Sequence, residues 1–515
     1  MADMITYGQI QVNCRFKFLK ILHCNIHAKY GEHTRAEIVG VVASSEAKAL
    51  FPDVSEEKLE ISSQNGTDRS ILFAGMIKKL ELREEGRYTL LSVEAVSHTW
   101  EMDIERKSRS FQNLSMTYKD VVNQVIQGYS VNMTWNLPDK KLEYPLIQYQ
   151  ETDYCFLQRI LSHLGASIII QDSKGRICFN VGLGKGRDIG KIDLQCRTYS
   201  ILLSRDKKSR GYKIEDMEFM QVGDVLSIQE TPYYIMESES VFRNNVLNCT
   251  CLLFPKQSFI VERISAHTLR GAVITGKVLE RKQEVMKLHL DIDEKQIREE
   301  AYDFPWSPIT GNLLYCMPEE GSRVALYLGE GEEKSATVIY NIRENGEMCE
   351  ELADYNQRYF TTKHEKRMYL NPSEAGFLNM HKRNAELSLN DKSSVQVKSH
   401  HQVSVMAEGQ IELKGRKITI TAPKEATLVK RDIISPTVIN MCNAFDAIGA
   451  TGNFMAIPQE EKEKRKRTGS GQAIEKYSLD GMVENVLSNI PAEEMGTPAM
   501  EAVAGSMPVI SRTIR

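Results

Sequence analysis

The chain has 515 residues and a mass of 58.5 kDa, which at roughly 100 to 200 residues per domain implies about three or four domains. Hydrophobic residues make up 42% and charged residues 26%, an ordinary globular composition that excludes wholesale disorder. The 65 Lys and Arg against 69 Asp and Glu leave a formal charge of −4, too even to steer the whole molecule toward nucleic acid or an anionic membrane.

The N-terminus MADMITYGQIQVNCRF has no basic region followed by an apolar one, and no run of about 18 apolar residues follows, so synthesis and folding are expected in the cytosol without a signal peptide. Ten cysteines are too few and scattered for a disulfide framework; the closest pair, Cys249 and Cys251, lies on an alternating run, and all are read as reduced, mostly buried thiols. Residues 1–110 show short alternating segments such as Ile71 to Ile77 and Tyr88 to Ala95, broken by polar turns, the pattern of a β-barrel or sandwich. In 111–166 the period changes. Val121, Val122, Val125 and Ile126 share one helical face over Tyr118 to Ile126, and Phe156, Leu157, Ile160, Leu161 and Leu164 share another over Phe156 to Leu164. Strands return in 167–262, predicting a second barrel. In 263–345 some five strands with Gly311, Gly321 and Gly331 at turns fit a small barrel of the OB type.

After a connecting stretch, 346–382, paired apolar residues recur as Leu387 and Leu389, Val395 and Val397, Val403 and Val405, Ile411 and Leu413. The first members differ by 395−387, 403−395 and 411−403, eight residues each. After a seven-residue step the pairs continue at Ile418 and Ile420, then Ala426 and Leu428. A fixed period of this kind predicts a stacked β-array over 383–435, each unit a short strand with alternate residues inward and then a polar corner such as Lys398-Ser399-His400-His401. A strand so short closes no core alone. Beyond a tip region, 436–458, residues 459–475 form a charged and then Gly/Ser-rich linker. In 476–515, Leu479, Met482, Val483, Val486 and Leu487 fall on one face of a short amphipathic helix that Ser478 caps, expected to dock a cargo or adaptor.

Several tempting motifs carry blander readings. Gly271 to Val278 copies the phosphate-loop spacing, but Val278 stands where a hydroxyl must reach magnesium, so a barrel strand is expected. Gly182, Gly184 and Gly186 follow a strand with no helix to receive a pyrophosphate, which predicts a tight turn. Cys14, His23, Cys24 and His27 are zinc-ligand types at unfamiliar spacing. His400 and His401 would ring a three-fold axis only if three chains met there; solvated corner residues are the expectation. No catalytic residue, cofactor site or metal site is assigned.

Leu72-Phe73-Ala74-Gly75-Met76-Ile77, Ser108-Arg109-Ser110-Phe111-Gln112 and above all the run from Tyr149-Gln150-Glu151-Thr152-Asp153 to Phe156, Leu157 and Arg159 resemble the hub of contractile-tail spike proteins. These are the VgrG proteins of type VI secretion and the late control D proteins of phages. Gly223-Asp224-Val225 ahead of Tyr233-Tyr234-Ile235 is similar to their second barrel, Pro318 to Val324 with Ala336 to Asn341 to their OB-fold, and the octads to their triple-stranded β-helix. The resemblance spans roughly residues 1 to 435. It implies a mainly β fold: a two-barrel hub with helical insertions, an OB-fold barrel, and a triple-stranded β-helix needle formed by a homotrimer. The needle core would be the ten residues from Leu387 to Ile420 named above. Implied partners are the inner tube and baseplate proteins, a PAAR-type tip protein, and an effector or adaptor, with a target membrane met only on puncture and no nucleic acid. Assembly would be cytoplasmic, with delivery outward on contraction. The implied role is a non-enzymatic spike. Only about Arg343 to Lys366 lies where some relatives insert a lysozyme domain, and the tail after Gln459 is small for a toxin. A trimeric tail adhesin or fibre, and a cell-wall hydrolase using the β-array as a stalk, are the competing readings.

Overall fold

The structure, a computed structural model, describes residues 4–43, 58–85, 88–172, 175–204, 209–311, 315–342, 354–381, 384–422, 427–430 and 437–440. The chain divides into two units, Met1–Met348 and Cys349–Arg515.

In the first unit, period-two alternation builds β1 (Ile10–Asn13), β2 (Phe18–Lys29), β3 (Arg35–Val42), β4 (Lys58–Asn65), β5 (Asp68–Glu85) and β6 (Tyr88–Ser97). Their inward side chains, among them Ile38, Leu59, Ile61, Phe73, Leu91 and Val93, close the first core. After β7 (Arg106–Phe111) comes helix α1 (Tyr118–Ile126). Thr117 caps it and exchanges hydrogen bonds with Asp120 in a capping box. β8 (Val131–Trp135) and β9 (Leu146–Thr152) lead into α2 (Asp153–Ser162), capped by Thr152. The apolar stripes of both helices pack on β10 (Ile168–Ile170), β11 (Ile177–Val181) and β8, which form a three-stranded sheet. The strands of β10 and β11, read from sequence as opening the second barrel, therefore belong with the helices.

The remaining strands of this region are β12 (Asp188–Lys191), β13 (Tyr199–Leu203), β14 (Arg210–Asp216), β15 (Val225–Ile228), β16 (Thr231–Arg243) and β17 (Val246–Phe254). They enclose a core of Ile214, Leu226, Ile235, Cys249, Cys251 and Leu253. The two β regions have separate cores but share one 12-stranded sheet, ordered β1-β4-β5-β6-β3-β2-β16-β17-β14-β13, with β15 on β16 and β12 on β15. The joint is the β2–β16 ladder, where Ile26 lies opposite Ser240.

β18 (Ala272–Lys282), β19 (Val285–Leu290), β20 (Asp303–Pro305), β21 (Arg323–Leu328) and β22 (Thr337–Ile342) form a five-stranded sheet ordered β20-β19-β18-β21-β22. A parallel bridge between Trp306 and Val338 brings the last strand back to the end of the third. The result is a partly open Greek-key barrel around Ile274, Val278, Leu288, Phe304 and Leu326.

In the second unit, β23 (Arg358–Thr361), β24 (Lys366–Asn371), β25 (Glu374–Asn379), β26 (Ala385–Asn390) and β27 (Ser394–Ser399) make an antiparallel meander in that order. It begins inside the stretch read as a connector. Residues 402–422 are exposed almost throughout and in no strand, and β28 (Thr427–Lys430) pairs with β29 (Thr437–Asn440).

Candidate functional site

Of the residues that resemble a hub motif, those of 108–112 and 149–159 converge on a buried charge network between the helical part and the five-stranded barrel, whereas Leu72, Phe73 and Ile77 pack in the first core. Arg159, on α2, is 1% exposed. Its Nη1 donates to Glu333 Oε1 at 2.6 Å, its Nη2 to the Ile147 carbonyl at 2.8 Å and to Glu151 Oε2 at 3.1 Å. Glu333 sits between β21 and β22, so this ion pair ties the helix to the barrel, and Ile147 buries its side chain in the barrel core. Burial alone would lower the Arg159 pKa; the charges of Glu333 and Glu151 outweigh it and hold the guanidinium ionised.

Asp153, the first residue of α2, is fully buried and accepts from Lys107 Nζ at 2.8 Å, Arg109 Nη2 at 2.5 Å, Tyr129 OH at 2.8 Å and Gln148 Nε2 at 2.9 Å. Burial pushes its carboxyl up, but donation from Lys107, Gln148 and Tyr129 with the Arg109 charge holds it below the usual carboxylate range. A second tie runs from β7: the Ser110 backbone N–H and hydroxyl both donate to the Asp293 carboxylate at 2.5 Å. Gln112 Oε1 accepts from the Tyr302 N–H at 3.2 Å. What the geometry does is fix the helical part to the five-stranded barrel through satisfied charges.

The other candidate surface is one face of the β23–β27 sheet. Register aligns Phe360, Met368, Phe377, Leu387 and Val397 in one cross-strand ladder, and Leu370, Ala375, Leu389 and Val395 in the next. All ten octad residues, Leu387, Leu389, Val395, Val397, Val403, Val405, Ile411, Leu413, Ile418 and Ile420, are exposed in the single chain, from 37% at Ile418 to 70% at Val405. Of the octad pairs, Leu387 and Leu389 lie on β26 and Val395 and Val397 on β27, whereas the strands expected at Val403, Val405, Ile411, Leu413, Ile418 and Ile420 do not form in the single chain, where these short segments have no neighbouring strand to pair with; sequence reasoning also missed Phe360, Met368, Leu370 and Phe377, because the turns before β26 break the eight-residue step. Leu479, Met482, Val483, Val486 and Leu487 lie outside the described residues.

The tempting motifs resolve structurally. Gly271 precedes β18 and Gly276 lies within it, where an added Cβ would meet the His289 carbonyl oxygen at 2.6 Å; the glycine admits β19 rather than a phosphate. Gly182 turns the chain after β11 with φ +72°. Cys249 and Cys251 are buried, their Sγ atoms 3.4 Å apart. Among the described residues no group of three or more His, Cys, Asp or Glu side chains is arranged to hold a metal ion.

Residues 37–181 match the profile of the phage tail baseplate hub (GPD). No curated protein matches the chain significantly. Among solved structures, the E. coli c3393 protein, a component of the type VI secretion system with similarity to the T4 tail proteins gp27 and gp5, superposes with a TM-score of 0.51 at 13% identity, covering 65% of this chain and all of its own. The Francisella PdpA-VgrG complex in its half-lidded form gives 0.51 at 8% identity over 76% of this chain and 88% of that one; its lidded form gives 0.50 at 9% identity, over 76% and 80%. Residues 37–181 are thus similar to the hub domain of the phage tail baseplate, in a mainly β chain whose fold resembles that of VgrG-like hub-and-spike proteins.

Proposed function

We infer that the chain is the hub and spike of a contractile injection machine, joining the inner tube to a puncturing needle and carrying a tip protein or cargo into a target. The observation that carries this is a match to the baseplate hub profile in the same chain as ten regularly spaced apolar residues, every one exposed when the chain is alone. Exposed apolar residues at this density need a cover, and three copies winding together supply it. The needle would then be a homotrimeric β-helix with these ten side chains toward its axis. Charge ties at Arg159 and Asp293 suit a body that must pass axial force from hub to barrel without shearing.

The work is mechanical, so no hydrolysis is required of residues 1–458. The partners that follow are tube and baseplate proteins, with an effector, adaptor or PAAR-type tip at the distal end. Assembly would take place in the cytoplasm before contraction. The test is to tag the chain in its native host, purify contractile particles and locate the tag by electron microscopy. A tag at the baseplate end of the tube is expected; a tag along lateral fibres would favour the adhesin reading instead.

A further inference from the structure

We propose that one water molecule is a fixed structural ligand of this chain, bound inside the joint between the two β regions of the first unit and held by the Asp172 carboxyl and the Ser240 hydroxyl. Three features of the joint carry it: the small residues that line it, two buried polar atoms, and the size of the space between them.

The joint is the β2–β16 ladder, which sets Ala28 opposite Ser238 and Ile26 opposite Ser240. Alternation sends these four side chains to one face, and three of the four are small. They border a small cavity whose wall is completed by Thr34, by Asp172 just past β10, and by the loop between β14 and β15. Parts of both β regions and of the helical region meet around it.

Two atoms on that wall are unsatisfied. Ser240 is 0% exposed and its Oγ has no oxygen or nitrogen partner, with only the Cys249 thiol beside it. Ser238, on the same face of β16, supplies the contrast: its hydroxyl donates to the Met220 carbonyl at 2.7 Å. The Asp172 carboxyl bonds the Thr34 hydroxyl, yet its Oδ1 is buried without a partner. A buried polar atom in this position has given up its hydration and received nothing in return.

The space fits one water. The cavity offers about 20 Å³ to the centre of a water molecule, and a bound water needs roughly 10–15 Å³ on that measure. One water donates to one of the two atoms and accepts from the other. A divalent cation takes about six to eight oxygens, more than the side chains of Asp172, Thr34, Ser238 and Ser240 carry. Among the described residues that line the cavity there is no Lys, Arg or His to offset an ionised carboxylate. Burial pushes the Asp172 carboxyl up to about 7, so in mildly acid solution a proton neutralises it and no counterion is required.

The test uses the full chain. At about pH 6, below the Asp172 titration, a high-resolution structure should show one density peak within about 2.7–3.2 Å of both Asp172 Oδ1 and Ser240 Oγ. A dry cavity, or a peak that touches neither atom, overturns the proposal. Amide hydrogen exchange across β2 and β16 is an independent reading of how readily the joint opens. Asp172→Ala and Ser240→Ala should each speed exchange there about tenfold, and the double variant no more than either, because the first change already removes the bridge. A double variant faster by about a hundredfold would mean two independent contacts and no shared water. Exchange in the parent should be equal in sodium chloride and choline chloride; faster exchange without sodium would make the occupant a cation, and the water assignment falls.

Discussion

Arg159 is a guanidinium with almost no access to water, and it stays only because three acceptors surround it. Replacing it by methionine leaves Glu333, 2% exposed, without its charge partner, a change that typically costs ~3–5 kcal/mol. Urea denaturation of Arg159→Met should show a loss of that order, and adding Glu333→Leu should recover part of it; full stability in Arg159→Met would remove the junction's role. His163 supplies a pH test. Burial first, then the charges of Arg263 and Arg159, push its pKa from 6.5 down to about 3. The unfolded chain takes up a proton on this ring below pH 6.5 while the folded chain resists until about 3, so its contribution is complete above 6.5 and is lost as pH falls through that window. The slope from this one ring is at most about 1.4 kcal/mol per pH unit. His163→Gln should flatten stability between pH 7 and about 5 relative to the parent; an unchanged profile would contradict the half-buried neutral ring. The run from Tyr149 to Arg159 was legible in the sequence as a string, but its purpose was not. Glu333 lies 174 positions from Arg159, and no local spacing links a helix residue to an acid in a distant loop.

At the scale of elements, Thr152 both ends β9 and caps α2, accepting from the Cys155 N–H at 3.2 Å and donating to Asp103. Thr152→Ala should cost about 1 kcal/mol, and Thr152→Ser much less; equal losses in the two variants, measured by denaturation, would mean that the methyl matters rather than the hydroxyl. Helix α1 was legible to its end residues because four apolar side chains mark its stripe. Helix α2 starts three residues before its apolar stripe, since its first turn is set by a cap and by Asp153, a buried charge that hydrophobic periodicity does not register. In the second unit the alternation at Val403 to Ile420 marks no strand, whereas in the first the strands themselves were legible from alternation. Their pairing was not: β2 meets β16 across more than 200 residues, and alternation says which side faces a core, never which strand lies beside it. In the second unit the octads exposed only the two strands with matching turns, whereas β24 and β25 contribute Met368, Leu370 and Phe377 to the same face at irregular spacing.

For the whole molecule the account requires that the ten exposed octad residues be covered by other copies. Val403 is assigned toward the three-fold axis, so Val403→Asp brings three unpaired carboxylates together. Each loses hydration and repels the others, at a cost of several kcal/mol per trimer, roughly. Ser404, assigned outward, should tolerate aspartate almost silently. Thermal stability and detergent resistance of the two variants should differ; equal damage would put the inward and outward assignment out of phase. Most direct is the mass of the purified full chain in solution by multi-angle light scattering. The account predicts three copies at micromolar concentration, 3 × 58.5 = 175.5 kDa. A stable species at the single-chain mass of 58.5 kDa would contradict it.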